Sequence, residues 1–259
     1  MDADHIMRAV GLRLAQAERV LFITGAGISA DSGLPTYRGV GGIYDGVATA
    51  DGIDIEEALS GPMFQVRPVV TWKYLAQIEA ACRGARPNAA HYAIAELERH
   101  KPGVFTLTQN VDGLHSAAGV ENLVEIHGCL KRLACTVCGW RTELETYAGL
   151  ALPPQCPECS GLVRPQVVLF GENLPMDQLE RLYAALDEGF DMVFTIGTSA
   201  LFPYIVQPVL WARSQGIPTV EINPGTTELS TIVDYRVQAR AALAMPAILA
   251  AAGLHGRRN

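Results

Sequence analysis

The sequence predicts an α/β fold, a doubly wound parallel sheet that carries a small inserted zinc-ribbon module. Three observations lead there. Five short apolar runs, at 19–24, 104–108, 123–126, 192–196 and 218–222, lack strict alternation and so read as strands buried on both faces. Segments with helical apolar spacing separate them, and strands alternating with helices indicate a parallel sheet covered on both sides. Four of the six cysteines form Cys-x-x-Cys twice, with seventeen residues between the pairs. That spacing suits tetrahedral thiolate coordination.

The elements follow in order. Residues 8–17 have helical spacing, and Arg19-Val-Leu-Phe-Ile-Thr24 stops at Gly25-Ala-Gly27, a strand entering a tight turn. Helical patterns follow at 69–81 and 89–99, and later at 176–188 and 204–214. The cysteines Cys135, Cys138, Cys156 and Cys159 fall in a segment of 130–163, read as an insertion with its own metal staple. The main domain is then 1–129 with 164–259. A lobe this small has little core, so bound metal would supply part of its stability. Glycines follow Cys138 and the Cys159-Ser160 pair, as in ribbon knuckles. The alternative is two unrelated cysteine pairs. The remaining Cys82 and Cys129 read as buried small hydrophobes.

Composition excludes several classes. With 49% hydrophobic and 18% charged residues, the chain is not intrinsically disordered. A net charge of −7 argues against an overall field that grips nucleic acid or anionic membrane. No direct nucleic-acid partner is expected. The opening Met1-Asp-Ala-Asp-His5 is acidic and no apolar run follows directly, so no secretory signal is expected. The apolar stretch 241–254 falls short of the roughly 20 residues a membrane span requires and contains Pro246. It reads as a buried Ala-rich terminal helix, in a soluble and cytoplasmic protein.

Gly25-Ala-Gly-Ile-Ser-Ala30 fits the G-x-G-x-x-G/A pattern of Rossmann-like dinucleotide sites, and it directly follows a strand. Glycines let the backbone approach a pyrophosphate, and a following helix N-terminus would offer free N–H donors. A Gly-rich structural turn is the competing reading. The acidic ribose reader of such sites, ~20 residues on, has no clear counterpart. Gln109-Asn-Val-Asp112 places amide and acid groups at a strand end, where unpaired polar groups are costly. They suit a polar ligand, or a helix cap. His127 lies between a strand and a glycine, and histidine is suited to base chemistry near neutrality. His91 and His115 have similar local claims.

Taken together, Gly25-Ala-Gly-Ile-Ser-Ala-Asp-Ser-Gly-Leu-Pro-Thr-Tyr-Arg-Gly39, Gln109-Asn-Val-Asp-Gly-Leu-His115, Glu125-Ile-His-Gly128, the two Cys-x-x-Cys pairs, Val168-Leu-Phe-Gly-Glu172, Gly197-Thr-Ser199 and Ile222-Asn-Pro224 resemble, block by block and in order, the sirtuins. These are NAD-dependent protein lysine deacylases. The resemblance runs from about residue 20 to 246 and implies NAD as co-substrate and an acyl-lysine protein or peptide as partner. It implies that the acyl oxygen attacks ribose C1′ and nicotinamide leaves. His127 then acts as general base on a ribose hydroxyl that attacks the imidate, giving free lysine and O-acyl-ADP-ribose. Asn110, the second catalytic residue, and Asp112 would orient ribose and nicotinamide. Gly25, Ala26, Gly27, Ser29, Thr36, Tyr37, Arg38 and Gln109 would line the cofactor, with Arg38 facing its phosphates. Gly197, Thr198, Ser199, Asn223, Pro224 and Ala241 would hold the adenosine half. Val168, Phe170, Gly171 and Glu172 would meet the substrate. Zn2+ would be structural, since four thiolates leave no open position.

The acyl preference is read from a departure. Thr36 and the short cysteine insert lean toward the branch with desuccinylases, which read a carboxylate through a Tyr-x-x-Arg pair on the helix after the first loop. Counting back from Pro87-Asn88-Ala-Ala-His91 puts Lys73 and Ala76 at those positions, with Tyr74 one residue off. Without a guanidinium fork a buried carboxylate lacks its bidentate partner. Neutral acyl groups are therefore expected over succinyl, with Trp72 and Tyr74 walling the acyl channel. The rivals are an ADP-ribosyltransferase or NAD hydrolase on the same scaffold, and a non-catalytic zinc-ribbon binding module. The sequence carries no signal for an oligomeric state.

Overall fold

The computed structural model describes residues 2–36, 49 and 51–254 of the 259. The strands are β1 (Arg19–Thr24), β2 (Gly103–Thr108), β3 (Leu123–Glu125), β4 (Gly128–Cys135), β5 (Arg141–Glu143), β6 (Val163–Val167), β7 (Met192–Ile196), β8 (Thr219–Ile222) and β9 (Tyr235–Val237). The helices are α1 (Ala3–Gln16), α2 (Ile55–Ala58), α3 (Gly61–Val66), α4 (Pro68–Cys82), α5 (Ala89–His100), α6 (Leu114–Ala117), α7 (Met176–Asp187), α8 (Pro203–Ser214) and α9 (Ala241–Ala251). The short elements α2, α3, α6 and β9, and the strands β4, β5 and β6 around the cysteines, have no counterpart among the individual elements expected from the sequence.

The main sheet runs β3-β2-β1-β7-β8-β9 and every pairing in it is parallel. This is the doubly wound order, in which the chain reverses direction across the sheet between its first and fourth strands, here β1 and β7. Thr24 is in register with Thr108 on one side and Ile196 on the other, so three strands end level at that switch point. A crevice opens there, and ligands of open α/β sheets bind in it.

Burial explains the unalternated strand sequences. On one face Phe22 and Phe194 pack ring to ring at 4.9 Å beneath Leu14 of α1, Ile94 of α5 and Met245 of α9. On the other, Leu21, Ile23 and Val193 meet Leu182 of α7 and Ile205 and Val209 of α8. Gly11 lets α1 press onto α9, because a Cβ there would lie 2.5 Å from that of Ala251. Helix α9 continues through Pro246. No helix among the described residues is long and apolar enough to cross a membrane.

The second sheet is antiparallel, in the order β5-β4-β6, and carries the four cysteines. Its strands run past the 130–163 segment at both ends, from Gly128 and to Val167. Its apolar side shares one core with α2, α3 and α4. Trp72 of α4 is fully buried there, its Nε1–H donating to the Val163 carbonyl at 3.0 Å and its ring edge-on to Tyr147 at 5.4 Å. The Tyr147 hydroxyl donates in turn to the Leu130 carbonyl.

Candidate active site

The crevice is a cleft of about 1180 Å³. Its floor is the glycine loop at the end of β1. The Gly25 N–H donates to the Ile196 carbonyl at 3.0 Å and the Gly27 N–H to the Gly197 carbonyl at 2.8 Å. This lays the loop against the end of β7 with no room for side chains. A Cβ on Gly27 would come within 2.6 Å of the Gly197 Cα, and Gly197, at φ +59°, could not carry one without meeting Gly27 at 2.4 Å. The glycines are thus needed for two loops to touch as well as for ligand approach. After Gly25 the chain makes two 3-10 turns, Ala26–Ile28 and Ala30–Ser32. The expected α-helix does not open here, and the turns spend the N–H groups of Ile28, Ser29, Ser32 and Gly33 on carbonyls within the loop. Asn88, the cap of α5, braces them by donating to the Ile28 carbonyl at 2.7 Å and to Ser32 Oγ at 3.0 Å.

The polar residues after β2 divide their bonds around this loop. Gln109 donates to Thr198 Oγ1 at 2.8 Å. Asn110, buried, donates to the Gly25 carbonyl and to Ser29 Oγ, both at 3.2 Å. Asp112 accepts from Ser29 Oγ at 2.7 Å and from the Leu114 N–H at 2.9 Å. Burial nonetheless pushes the Asp112 carboxyl above its ordinary range. Asn223 donates to the Thr198 carbonyl at 3.2 Å. These partners keep the amides fixed rather than free to collapse into the cleft.

His127 enters from the turn between β3 and β4. Its Nδ1 lies 2.9 Å from the Gln109 carbonyl and its Nε2 2.6 Å from the Tyr204 hydroxyl. A carbonyl only accepts, so Nδ1 carries the proton and Nε2 presents its lone pair. Burial lowers the imidazole pKa, opposed by the bond to Gln109. The ring is therefore neutral near pH 7 and able to accept a proton. The Val168 N–H donates to the His127 carbonyl at 2.9 Å, tying the histidine to the strip that follows β6.

That strip forms the opposite wall. Val168, Phe170, Gly171 and Glu172 line the cleft. Glu172 is fully engaged, receiving Arg164 through both oxygens at 2.6 and 2.9 Å and the Leu169 N–H at 2.9 Å. Its carboxylate shapes the wall rather than reaching for a ligand.

The other expected residues sort as follows. Gly25, Ala26, Gly27, Thr36, Gln109 and Asn110 line the cleft, as do Gly197, Thr198, Ser199, Asn223 and Pro224. Ser29 and Asp112 border a small recess beside it, next to Asn110 and Ile78. Tyr37 and Arg38 lie outside the described residues. Ala241 is buried in α9 and does not line the cleft; its neighbour Arg240 does, paired with Asp31 of the loop. Trp72 and Tyr74 do not line it either. Trp72 belongs to the core under the ribbon, and the Tyr74 hydroxyl donates to Asp51 at 2.6 Å. The helix turns Leu75 and Ile78 to the cleft instead. These two have the three-residue spacing of the expected pair but lie two residues later. Tyr204 and Phe202 were missed too: in the sequence Tyr204 only opens a helical pattern.

The four cysteine sulfurs lie within 4.8 Å of one another, with Cys135–Cys159 at 3.5 Å and Cys138–Cys156 at 3.6 Å. Four thiolates at ~2.3 Å from a tetrahedral zinc would stand about 3.8 Å apart, so the cluster fits that ion. Backbone N–H groups of Cys138 and Val137 draw the Cys135 thiol down to about 6. Cys138, aided by the Trp140 N–H but facing the sulfurs of Cys159 and Cys156, is pushed up to about 12. The four sulfurs can all be thiolates at this separation only with a cation among them.

Comparison with known proteins agrees with this geometry. Residues 25–203 match the Sir2 family, and the chain belongs to that family, the sirtuins. It is 52% identical over 252 residues to NAD-dependent protein deacylase 2 of Pseudomonas aeruginosa, covering 96% of this chain and 98% of the relative. It is 36% identical over 228 residues to NAD-dependent protein deacylase 1 of Archaeoglobus fulgidus, covering 88% and 90%. Among solved structures, a Sir2 homolog–NAD complex superposes with a TM-score of 0.85 at 34% identity, covering 95% of this chain and 94% of that one. A Sir2–p53 peptide–NAD+ complex superposes at 0.79 with 25% identity, covering 94% and 97%.

Proposed function

We propose that this chain is an NAD-dependent protein lysine deacylase that prefers neutral acyl groups to succinyl. One observation carries the reading: a neutral histidine of fixed tautomer stands between the glycine loop and the 168–172 wall of a single cleft. The names of the relatives and the NAD and peptide complexes of the structural neighbours support it. When bound, NAD supplies the ribose carbon that takes the acyl oxygen, and nicotinamide as leaving group. Gly25, Ala26 and Gly27 would admit its phosphates to the backbone, with Thr198, Ser199 and Asn223 holding the adenosine side. Asn110 and Asp112, pinned through Ser29, would orient the ribose and nicotinamide. His127 would take the proton of a ribose hydroxyl at Nε2. Cys135, Cys138, Cys156 and Cys159 would hold a structural zinc in the module at 130–163.

The acyl preference follows from the wall that α4 presents. Leu75 and Ile78, together with Leu59, Leu130 and Val167, make an apolar lining. Lys73 does not line the cleft, and its ammonium pairs with Asp51 at 2.7 Å. A buried carboxylate without a charge-assisted partner is costly. The experiment is mass spectrometry of matched acetyl-lysine and succinyl-lysine peptides, with and without NAD. NAD-dependent loss of acetyl, faster than loss of succinyl, is expected. Faster succinyl removal overturns the preference, and loss of acetyl without NAD overturns the activity.

A further inference from the structure

Glu221 of β8 stands between Val220 and Ile222, which pack in the core, and is itself only 2% exposed. Burying a carboxylate is costly unless it is paired and hydrogen-bonded. The hydroxyl partners of Glu221 all belong to the loop that follows β8. It accepts from the Thr227 hydroxyl and, at 2.6 Å, from the Ser230 hydroxyl. Ser230 Oγ accepts in turn from the Thr227 N–H at 2.9 Å, and Thr227 Oγ1 from the Leu229 N–H at 3.1 Å. Leu229 is fully buried and anchors the loop in the core. Arg236 is the register partner of Glu221 on β9, with Nε 3.7 Å from the carboxylate. Its guanidinium donates to the Gly225 carbonyl at 3.1 Å and to Thr226 Oγ1 at 2.8 Å. The loop has no helix or strand of its own, so this pair of strand residues supplies much of its shape. Gly225, Thr226, Thr227 and Glu228 of the loop line the cleft beside Asn223, while Glu221 and Arg236 do not reach it.

We propose that Glu221 and Arg236 are positioning residues for the adenosine half of NAD. They set the 224–231 loop in the shape that receives it, and they act on cofactor affinity rather than on the chemical step. This rests on the deacylase reading, which puts the adenosine side against Asn223. A loop already in place spares binding the cost of ordering it. The half of NAD that the loop would meet does not react. Its contribution is then equal in the ground state and the transition state, which moves KM and leaves kcat alone.

Glu221→Gln keeps the size of the side chain and removes its charge and one acceptor. The binding probe is ADP-ribose, which carries the adenosine half without nicotinamide, titrated by calorimetry. Its Kd and the KM for NAD are expected to rise together by about tenfold, the ordering cost of one or two side chains. The kcat, and the KM for an acetyl-lysine peptide, should stay within about twofold. Arg236→Met, on the edge strand, frees only Gly225 and Thr226 and should raise the same two constants about threefold. A melting curve shows whether each variant is folded, and the Met variant decides alone if the Gln variant is not. Unchanged ADP-ribose affinity would overturn the proposal. So would a fall in kcat as large as the loss of affinity, a parallel rise in the peptide KM, or a wild type that binds no ADP-ribose. Failure of the deacylase reading is separable: the wild type then shows no NAD-dependent acyl loss, while ADP-ribose affinity still falls in the variants.

Discussion

His127 and the pair His91–His115 sit near the same end of β2, and their surroundings differ in kind. His127 is half-buried in the cleft wall with both ring nitrogens bonded. His91 and His115 are 0% and 1% exposed, their rings edge to face at 4.9 Å. The Asn88 N–H donates to His91 Nδ1 at 3.3 Å, which places the His91 proton on Nε2. Thr24 Oγ1, which donates to Thr108 at 2.8 Å, accepts from His115 Nε2 at 2.9 Å, which leaves His115 Nδ1 bare. Those two remaining nitrogens, one donor and one acceptor, have no other partner among the described residues. Burial lowers all three pKa values, taking His91 to about 4 and His115 well below its ordinary value. Neutrality near pH 7 is therefore common to all three. Access to the cleft is what separates His127 from the two core histidines.

The contrast can be broken by removing each side in turn. His127→Ala should give a folded, zinc-loaded protein whose kcat/KM for an acyl-lysine peptide falls by about 10²–10⁴, the span of general-base catalysis. Steady-state kinetics alongside a melting curve checks it, and near-normal turnover would end the distinction. The pair predicts a stability effect instead. Above pH 6.5 His91 is neutral folded and unfolded. Below it the unfolded chain takes up a proton that the folded chain refuses until about pH 4, so stability falls as pH falls through that window. The full loss from His91 is on the order of 3 kcal/mol. Urea unfolding at pH 7, 6 and 5 reads it, and a His91→Gln variant should flatten the slope. The smallest effect belongs to Thr24→Val. It strips the acceptor from His115 Nε2, costing about 1–3 kcal/mol for an unsatisfied buried donor, with turnover per folded molecule little changed. Calorimetry beside the peptide assay separates the two quantities.

The sheet was legible because its strands are apolar on both faces and end at glycine or amide loops, a local signal. The zinc cluster was legible because its four ligands come as two tight pairs. What was not legible depends on register and on contacts across the fold. Counting back from Asn88 puts Lys73 and Ala76 at the expected pair, yet α4 turns Leu75 and Ile78 to the cleft; a helix rotates about 100° per residue, so a two-residue offset exchanges one face for another. Trp72 looks the same in sequence whether it walls a channel or plugs a ribbon core. Tyr204 is 77 residues from His127, and nothing local joins them. Nor does sequence spacing tell His127 from His115, since depth is set by how α5 and α6 pack behind the glycine loop.

The most direct test of the central claim, that this one cleft moves an acyl group from lysine at the expense of NAD, is a product count. The zinc-loaded wild type would be incubated with an acetyl-lysine peptide and NAD, and free-lysine peptide, nicotinamide and O-acetyl-ADP-ribose would be quantified together. Equal amounts of all three, with none formed when NAD is left out, is the predicted result. Nicotinamide released while the peptide keeps its acetyl group would contradict it and make the protein an NAD hydrolase or ADP-ribosyltransferase.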